Sequence, residues 1–161
     1  MLNPHTADEC ADLLSAMQAQ GLTLATAESC TGGLIAAALT AIAGSAASVL
    51  GGFVVYCNTM KTAQLGVPEA VLAEFGAVSE PVARLMAEGA MARAGADMAL
   101  SCTGIAGPGG ATPGKPVGLV HLAAARAGRP TLHMVQIFAG DRAAVRAATV
   151  DAALGLARRM L

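Results

Sequence analysis

Three side chains able to attack a carbonyl carbon stand together near the start of the chain: Ser29, Cys30 and Thr31, in the run AESCTGG at 27–33, with Gly32 and Gly33 directly behind them. A serine in a strand-to-helix turn sets its hydroxyl beside the first free N–H groups of the helix. Those donors can stabilise an oxyanion or hold an anionic ligand. The two glycines would let a substrate come close to the backbone. The same position suits a helix cap, so the residues alone leave Ser29 as the cap of a helix beginning near Thr31 or as a nucleophile. The stretch is not the G-x-S-x-G elbow of the α/β-hydrolases, because Ala27 stands where that motif needs glycine.

A serine nucleophile needs a base. The three histidines fit poorly: His5 lies near the N-terminus, and His121 and His133 fall inside late strands, where they read as ordinary strand residues. Neither a Ser-His-Asp triad nor a zinc pair is expected from them. Lys61 is the better base. It follows an interval, positions 29 to 60, without a single Asp, Glu, Lys or Arg, and Tyr56 is close by. A lysine desolvated among apolar neighbours loses its proton more readily, and the neutral amine can accept one from serine. The bland alternative is an exposed lysine on the first turn of a helix.

Two further stretches invite binding. TGIAGPGGATPGKPVG (103–118) packs six glycines and three prolines into one segment that follows a strand. Within it GGATPGKP mimics a P-loop, but Pro116 replaces the Ser or Thr that would hold magnesium, which argues against an NTPase. Its backbone N–H groups remain available to a phosphate. In GDR (140–142), Arg142 opens the last helix, where a cation opposes the helix dipole; that local misfit marks it as a candidate for a phosphate or carboxylate.

The elements that must position these residues follow from periodicity and turn chemistry. A first helix is expected from Thr6, with capping-box spacing to Glu9, to about Gly21. Strands are expected at 22–26, 51–57 and 97–103, a helix at about 31–43, and helices in three pieces between Lys61 and Ala94, broken at Gly66-Val67-Pro68 and Gly76-Ala77-Val78-Ser79. A hairpin of two strands at 117–125 and 131–139 and a closing helix after Asp141 complete the chain. Strands alternating with helices predict a three-layer α/β/α sandwich with a mixed, mostly parallel sheet in a single domain spanning 1–161. In such a sheet the ligand crevice lies outside the carboxyl ends of the parallel strands, where the loops carrying Ser29, Lys61 and Thr103 would meet.

Composition narrows the function. The 161 residues are 55% hydrophobic but only 2% aromatic, with mean hydropathy +0.58 and a formal charge of −1. No basic run offers a nucleic-acid surface. The longest apolar stretch is cut by GSAAS and GG before it reaches membrane-spanning length, and MLNPHTADEC has neither the basic region nor the apolar core of an export signal. Four scattered cysteines, Cys10, Cys30, Cys57 and Cys102, without C-x-x-C spacing, read as reduced thiols in the cytoplasm.

Taken in order, AESCTGG, GGFVVYCNTMK, GAVSEPVA, TGIAGPGG, KPVG and GDRAAVR resemble the CinA C-terminal domain family over nearly the whole chain, in its stand-alone form. The resemblance implies an amidohydrolase that converts nicotinamide mononucleotide and water to nicotinate mononucleotide and ammonia. It implies Ser29 as nucleophile and Lys61 as base, Tyr56 orienting Lys61 or relaying a proton, and no metal or other cofactor. It implies a substrate site built from Cys30, Thr31, Gly32, Gly33, Thr103, Gly104, Gly107 and Arg142, with backbone N–H groups of 30–33 as the oxyanion hole. The family fold is a three-layer α/β/α domain, commonly a homodimer, acting on a small molecule rather than on nucleic acid or membrane. One departure is Cys57-Asn58-Thr59-Met60, where many relatives have Ser first and small or charged residues later. Rival expectations are a non-catalytic nucleotide-binding module and a hydrolase that uses Cys30.

Overall fold

The computed structural model describes residues 4–161. Five strands, β1 (Leu24–Glu28), β2 (Val49–Val54), β3 (Met98–Gly104), β4 (Leu119–Arg126) and β5 (Arg129–Ile137), form one sheet in the order β2-β1-β3-β4-β5. β1 pairs in parallel with β2 and β3, while β3–β4 and β4–β5 are antiparallel, so only β4 runs against the others. The sheet is mixed, as expected. Six α-helices cover it: α1 (Pro4–Ala19), α2 (Leu34–Thr40), α3 (Asn58–Leu65), α4 (Glu69–Phe75), α5 (Glu80–Ala94) and α6 (Arg142–Arg158).

The two faces differ in side-chain size. Leu24, Met98, Leu100, Cys102, Val120, Leu122 and Ala124 join residues of α1, α2 and α6 in the larger core. The alternate positions, Ala25, Ala27, Ala99, Ala123 and Ala125, are small because α5 lies against them. Period-two alternation in central strands thus selects a helix layer on each side. Among the described residues no helix is long and apolar enough to cross a membrane.

Several local expectations shift. β1 runs two residues later than the LTLAT reading, so Glu28 is its last residue, and β2 ends at Val54 rather than at Cys57. Thr6 is no N-cap: α1 begins at Pro4 and takes in His5, and the Thr6 hydroxyl donates instead to Asp151 Oδ1 at 2.6 Å. The largest shift concerns AESCTGG. Residues 30–33 form a turn, and α2 starts only at Leu34 behind Gly33, whose φ of +103° glycine adopts without a Cβ penalty. Ser29 therefore does not cap the helix, and Thr31 is not part of it.

Candidate active site

β1 and β2 end level, Glu28 beside Val54, and β3 runs on from Cys102, which faces Glu28, to Gly104. The segments that follow them, 29–33, 55–57 leading into α3, and 105–118, rise from the same edge. This is where an open α/β sheet places its ligand crevice. A cavity of about 210 Å³ lies there, lined by Ser29, Cys30, Tyr56, Lys61, Ala77, Val78, Thr103, Gly104, Ala106 and Arg142.

Glu28, not among the residues expected at the site, organises the turn beneath the cavity. It is fully buried. Its Oε1 accepts from Thr26 Oγ1 (3.1 Å) and the Ala36 N–H (2.8 Å), and its Oε2 from Thr31 Oγ1 (2.6 Å) and the N–H groups of Gly33 and Ile35 (both 3.0 Å). A carboxylate thus fills the α2 N-terminus, the role first considered for Ser29. The hint was available: Glu28 is the last charge before the long neutral interval and directly precedes the nucleophile candidates.

Freed from capping, Ser29 points at Lys61. Its Oγ lies 3.1 Å from Lys61 Nζ. Lys61, in the first turn of α3, is 1% exposed, so it is not the solvent-facing lysine of the bland alternative. Nζ donates to the carbonyl oxygens of Val55 (2.9 Å) and Tyr56 (3.3 Å). Burial holds its pKa below the ordinary lysine value. Nζ thus has three oxygen partners, Ser29 Oγ and the two carbonyls; once deprotonated, the amine can keep its N–H bonds to the carbonyls and turn its lone pair to the proton on Ser29 Oγ.

The rim is made by groups distant in sequence. Thr103 is buried and donates to the Ala77 carbonyl at 2.8 Å, fixing the loop before α5 against β3. Arg142 gives Nη1–H to the Gly107 carbonyl (2.9 Å) and Nη2–H to Tyr56 Oη (3.1 Å), so it bridges the mouth. Tyr56 is 63% exposed; it meets Lys61 through its carbonyl, and its ring is turned to the entrance. A larger hollow of about 500 Å³, lined by Ala106, Pro108, Val117, Gly140, Asp141, Arg142, Ala143 and Arg146, adjoins the first and shares Ala106 and Arg142 with it.

Some expected site residues stand elsewhere. Thr31 is fully buried below the cavity, bonded to Glu28 and 3.0 Å from Cys102 Sγ. Gly32, Gly33 and Gly107 are not among the lining residues. The Gly33 N–H goes to Glu28 and that of Gly32 to the Ser29 carbonyl, which leaves the N–H groups of Cys30 and Thr31 as the two in the turn not engaged by either. Cys30 lines the cavity, but its thiol is held far up by a hydrogen bond with the Cys102 thiol and by burial, which disfavours the nucleophilic thiolate. His121 and His133 are not ordinary strand residues: they meet each other away from Ser29. Among the described residues no group of three or more His, Cys, Asp or Glu could hold a metal ion.

Known proteins resemble this chain in sequence and fold. The sequence model of the CinA C-terminal domain matches residues 7–161. A CinA-like protein of Citrifermentans bemidjiense is 54% identical over 145 residues, covering 90% of this chain and 35% of its own length. A CinA-like protein of Mycolicibacterium vanbaalenii is 49% identical over 96% of this chain and 35% of its own. The chain thus spans about a third of these curated relatives. Among solved structures, the competence/damage inducible protein CihA of Agrobacterium tumefaciens superposes with a TM-score of 0.97 at 44% identity, covering 99% of this chain and 98% of that one. A CinA superfamily protein of Escherichia coli gives 0.94 at 37% identity, with 100% and 94% covered. With the fold, the motifs and these relatives in agreement, the chain belongs to the CinA C-terminal domain family.

Proposed function

We propose that the chain is a metal-independent amidohydrolase that deamidates nicotinamide mononucleotide in the cytoplasm, with Ser29 as nucleophile and Lys61 as general base. The observation that carries this reading is the buried Lys61 amine, anchored by two carbonyls and 3.1 Å from Ser29 Oγ. Its lone pair takes the Ser29 proton as Oγ attacks the carboxamide carbon. The N–H of Cys30, which lines the cavity beside Ser29, is the turn donor available to the developing oxyanion. The C–N bond breaks, the amide nitrogen leaves as ammonia with the proton from Lys61, and a nicotinoyl ester remains on Ser29. Water, deprotonated by Lys61, then attacks the ester; the proton returns to Ser29 Oγ and nicotinate mononucleotide departs.

The two hollows support a substrate with a small head and a larger anionic tail. The smaller accepts the carboxamide and pyridinium, with the exposed Tyr56 ring available to the cationic face. The larger carries Arg142 and Arg146 for the phosphate and Asp141 toward a sugar hydroxyl. Ammonia release from nicotinamide mononucleotide by wild type, Ser29→Ala, Lys61→Met and Cys30→Ala tests the reading. Activity lost in the first two variants and kept in the third is expected. Loss only with Cys30→Ala would move the nucleophile one residue along. No release by folded wild type would overturn the substrate assignment.

A further inference from the structure

The two strand histidines form a cluster that the amide chemistry does not use. His121 on β4 and His133 on β5 meet at 3.0 Å, Nδ1 to Nε2, with their ring centroids 5.2 Å apart and planes within 25°. That centroid distance requires the two nitrogens to point at each other, so the contact is an in-plane N–H···N hydrogen bond rather than a face-to-face stack. On its other side His133 Nδ1 lies 3.4 Å from Glu80 Oε2. The carboxylate facing this nitrogen favours a proton on His133 Nδ1; with that tautomer assigned, Nε2 is the acceptor and His121 Nδ1–H the donor. The chain runs His121 to His133 to Glu80 and ends on the first residue of α5.

Its position ties it to the cavity. Glu80 closely follows Ala77 and Val78, which line the Ser29–Lys61 cavity. Thr103, the rim residue that binds the Ala77 carbonyl, lies directly opposite His121 in the β3–β4 ladder, on the same face of the sheet. The Ser79 hydroxyl is spent on the Gly76 carbonyl, so no side chain caps α5, and loop 76–79 is held by Thr103 at one end and by Glu80 at the other. The charged groups acting on the pair are Glu80 and Arg84 from α5 and Lys115 from the segment before β4. Arg84 also binds Glu80 Oε1 at 2.7 Å and the Thr131 carbonyl of β5.

We propose that His121, His133 and Glu80 are positioning residues for the Ser29–Lys61 cavity: joined as a chain they set loop 76–79 at its rim, and protonation of both imidazoles parts the two rings, draws His133 toward Glu80 and shifts that loop. One proton is tolerated, since it can sit on the free Nε2 of His121 without breaking the chain. A second must occupy the shared nitrogen and sets two cations 3.0 Å apart, and the hydrogen bond breaks. Burial lowers the pKa of both histidines, so the chain is intact at neutral pH and opens below the ordinary histidine range.

The inference rests on the cavity being the reaction site, and its first readout needs no substrate. NMR titration of the full chain from about pH 8 to about pH 4.5 should show the Ala77 and Val78 amide resonances moving in step with the second proton taken up by the histidine pair. In His133→Gln, whose amide can bond both neighbours without titrating, those resonances should stay still. With nicotinamide mononucleotide at pH 8, His133→Ala should raise KM by about fivefold with kcat within about twofold, and His133→Gln should restore KM. Resonances of 77 and 78 that ignore the titration, that keep the same midpoint in His133→Gln, or a KM unmoved in His133→Ala would each overturn the proposal. If no ammonia is released at all, the amidase reading fails, and the resonances still decide on the chain.

Discussion

Replacing Glu28 with glutamine tests how the nucleophile turn is held. The carboxylate accepts five hydrogen bonds, three of them from the main-chain N–H groups of Gly33, Ile35 and Ala36. A glutamine can keep one acceptor oxygen, and its NH2 must replace the other. The cheaper arrangement puts NH2 at the Oε1 position, where the Thr26 hydroxyl can turn to accept and only the Ala36 N–H is orphaned. That orphan costs about 1–3 kcal/mol. The three bonds kept by the other oxygen become neutral and roughly half as strong, and the charge at the helix N-terminus is lost. Part of this is offset because a buried charge no longer has to be desolvated. A net cost of about 2–4 kcal/mol follows, which for a chain of this size lowers Tm by about 4–16 °C. Thermal unfolding followed by circular dichroism reads it directly, and Glu28→Ala, which orphans all three N–H groups, should fall further. A Glu28→Gln protein melting within about 1 °C of wild type would refute the claim that this carboxylate satisfies the start of α2.

Three other outcomes are expected. Because the active form of Lys61 is the neutral amine and burial lowers its pKa, kcat/KM for deamidation should rise with pH through that lowered value and then level off; Lys61→Arg, charged at every accessible pH, should show no rising limb and no activity. Arg142→Ala removes the bridge between Gly107 and Tyr56 and a cation from both hollows, so KM for nicotinamide mononucleotide should rise about tenfold or more with a smaller change in kcat, measured by steady-state kinetics. Gly118 has φ +90°, and a Cβ there would stand 2.1 Å from the Phe138 carbonyl oxygen, so Gly118→Ala should cost about 3–5 kcal/mol in urea unfolding by displacing the join between the glycine-rich segment and β5.

The sequence by itself determined the layer architecture and most of the residues of the candidate site. Alternating apolar runs and turn glycines specify five strands and their helices, because periodicity and turn chemistry are local. The pairing of Ser29 with Lys61 was legible because the neutral interval from 29 to 60 isolates Lys61 beside a strand end. What only the tertiary structure decided depends on the register of β1 against β2 and β3. That register sets Glu28 under α2, so that a carboxylate rather than Ser29 caps the helix and the serine hydroxyl is free to face an amine. It also withdraws Thr31 into the core and brings Ala77, Val78 and Ala106 to the cavity, apolar residues whose types suggest no chemistry of their own. His121 and His133 make the same point: each alone reads as a strand residue, and only the β4–β5 ladder, with α5 laid across it, makes them partners of each other and of Glu80. Residues close in sequence announce themselves through spacing, whereas contacts across strands exist only once the register is set.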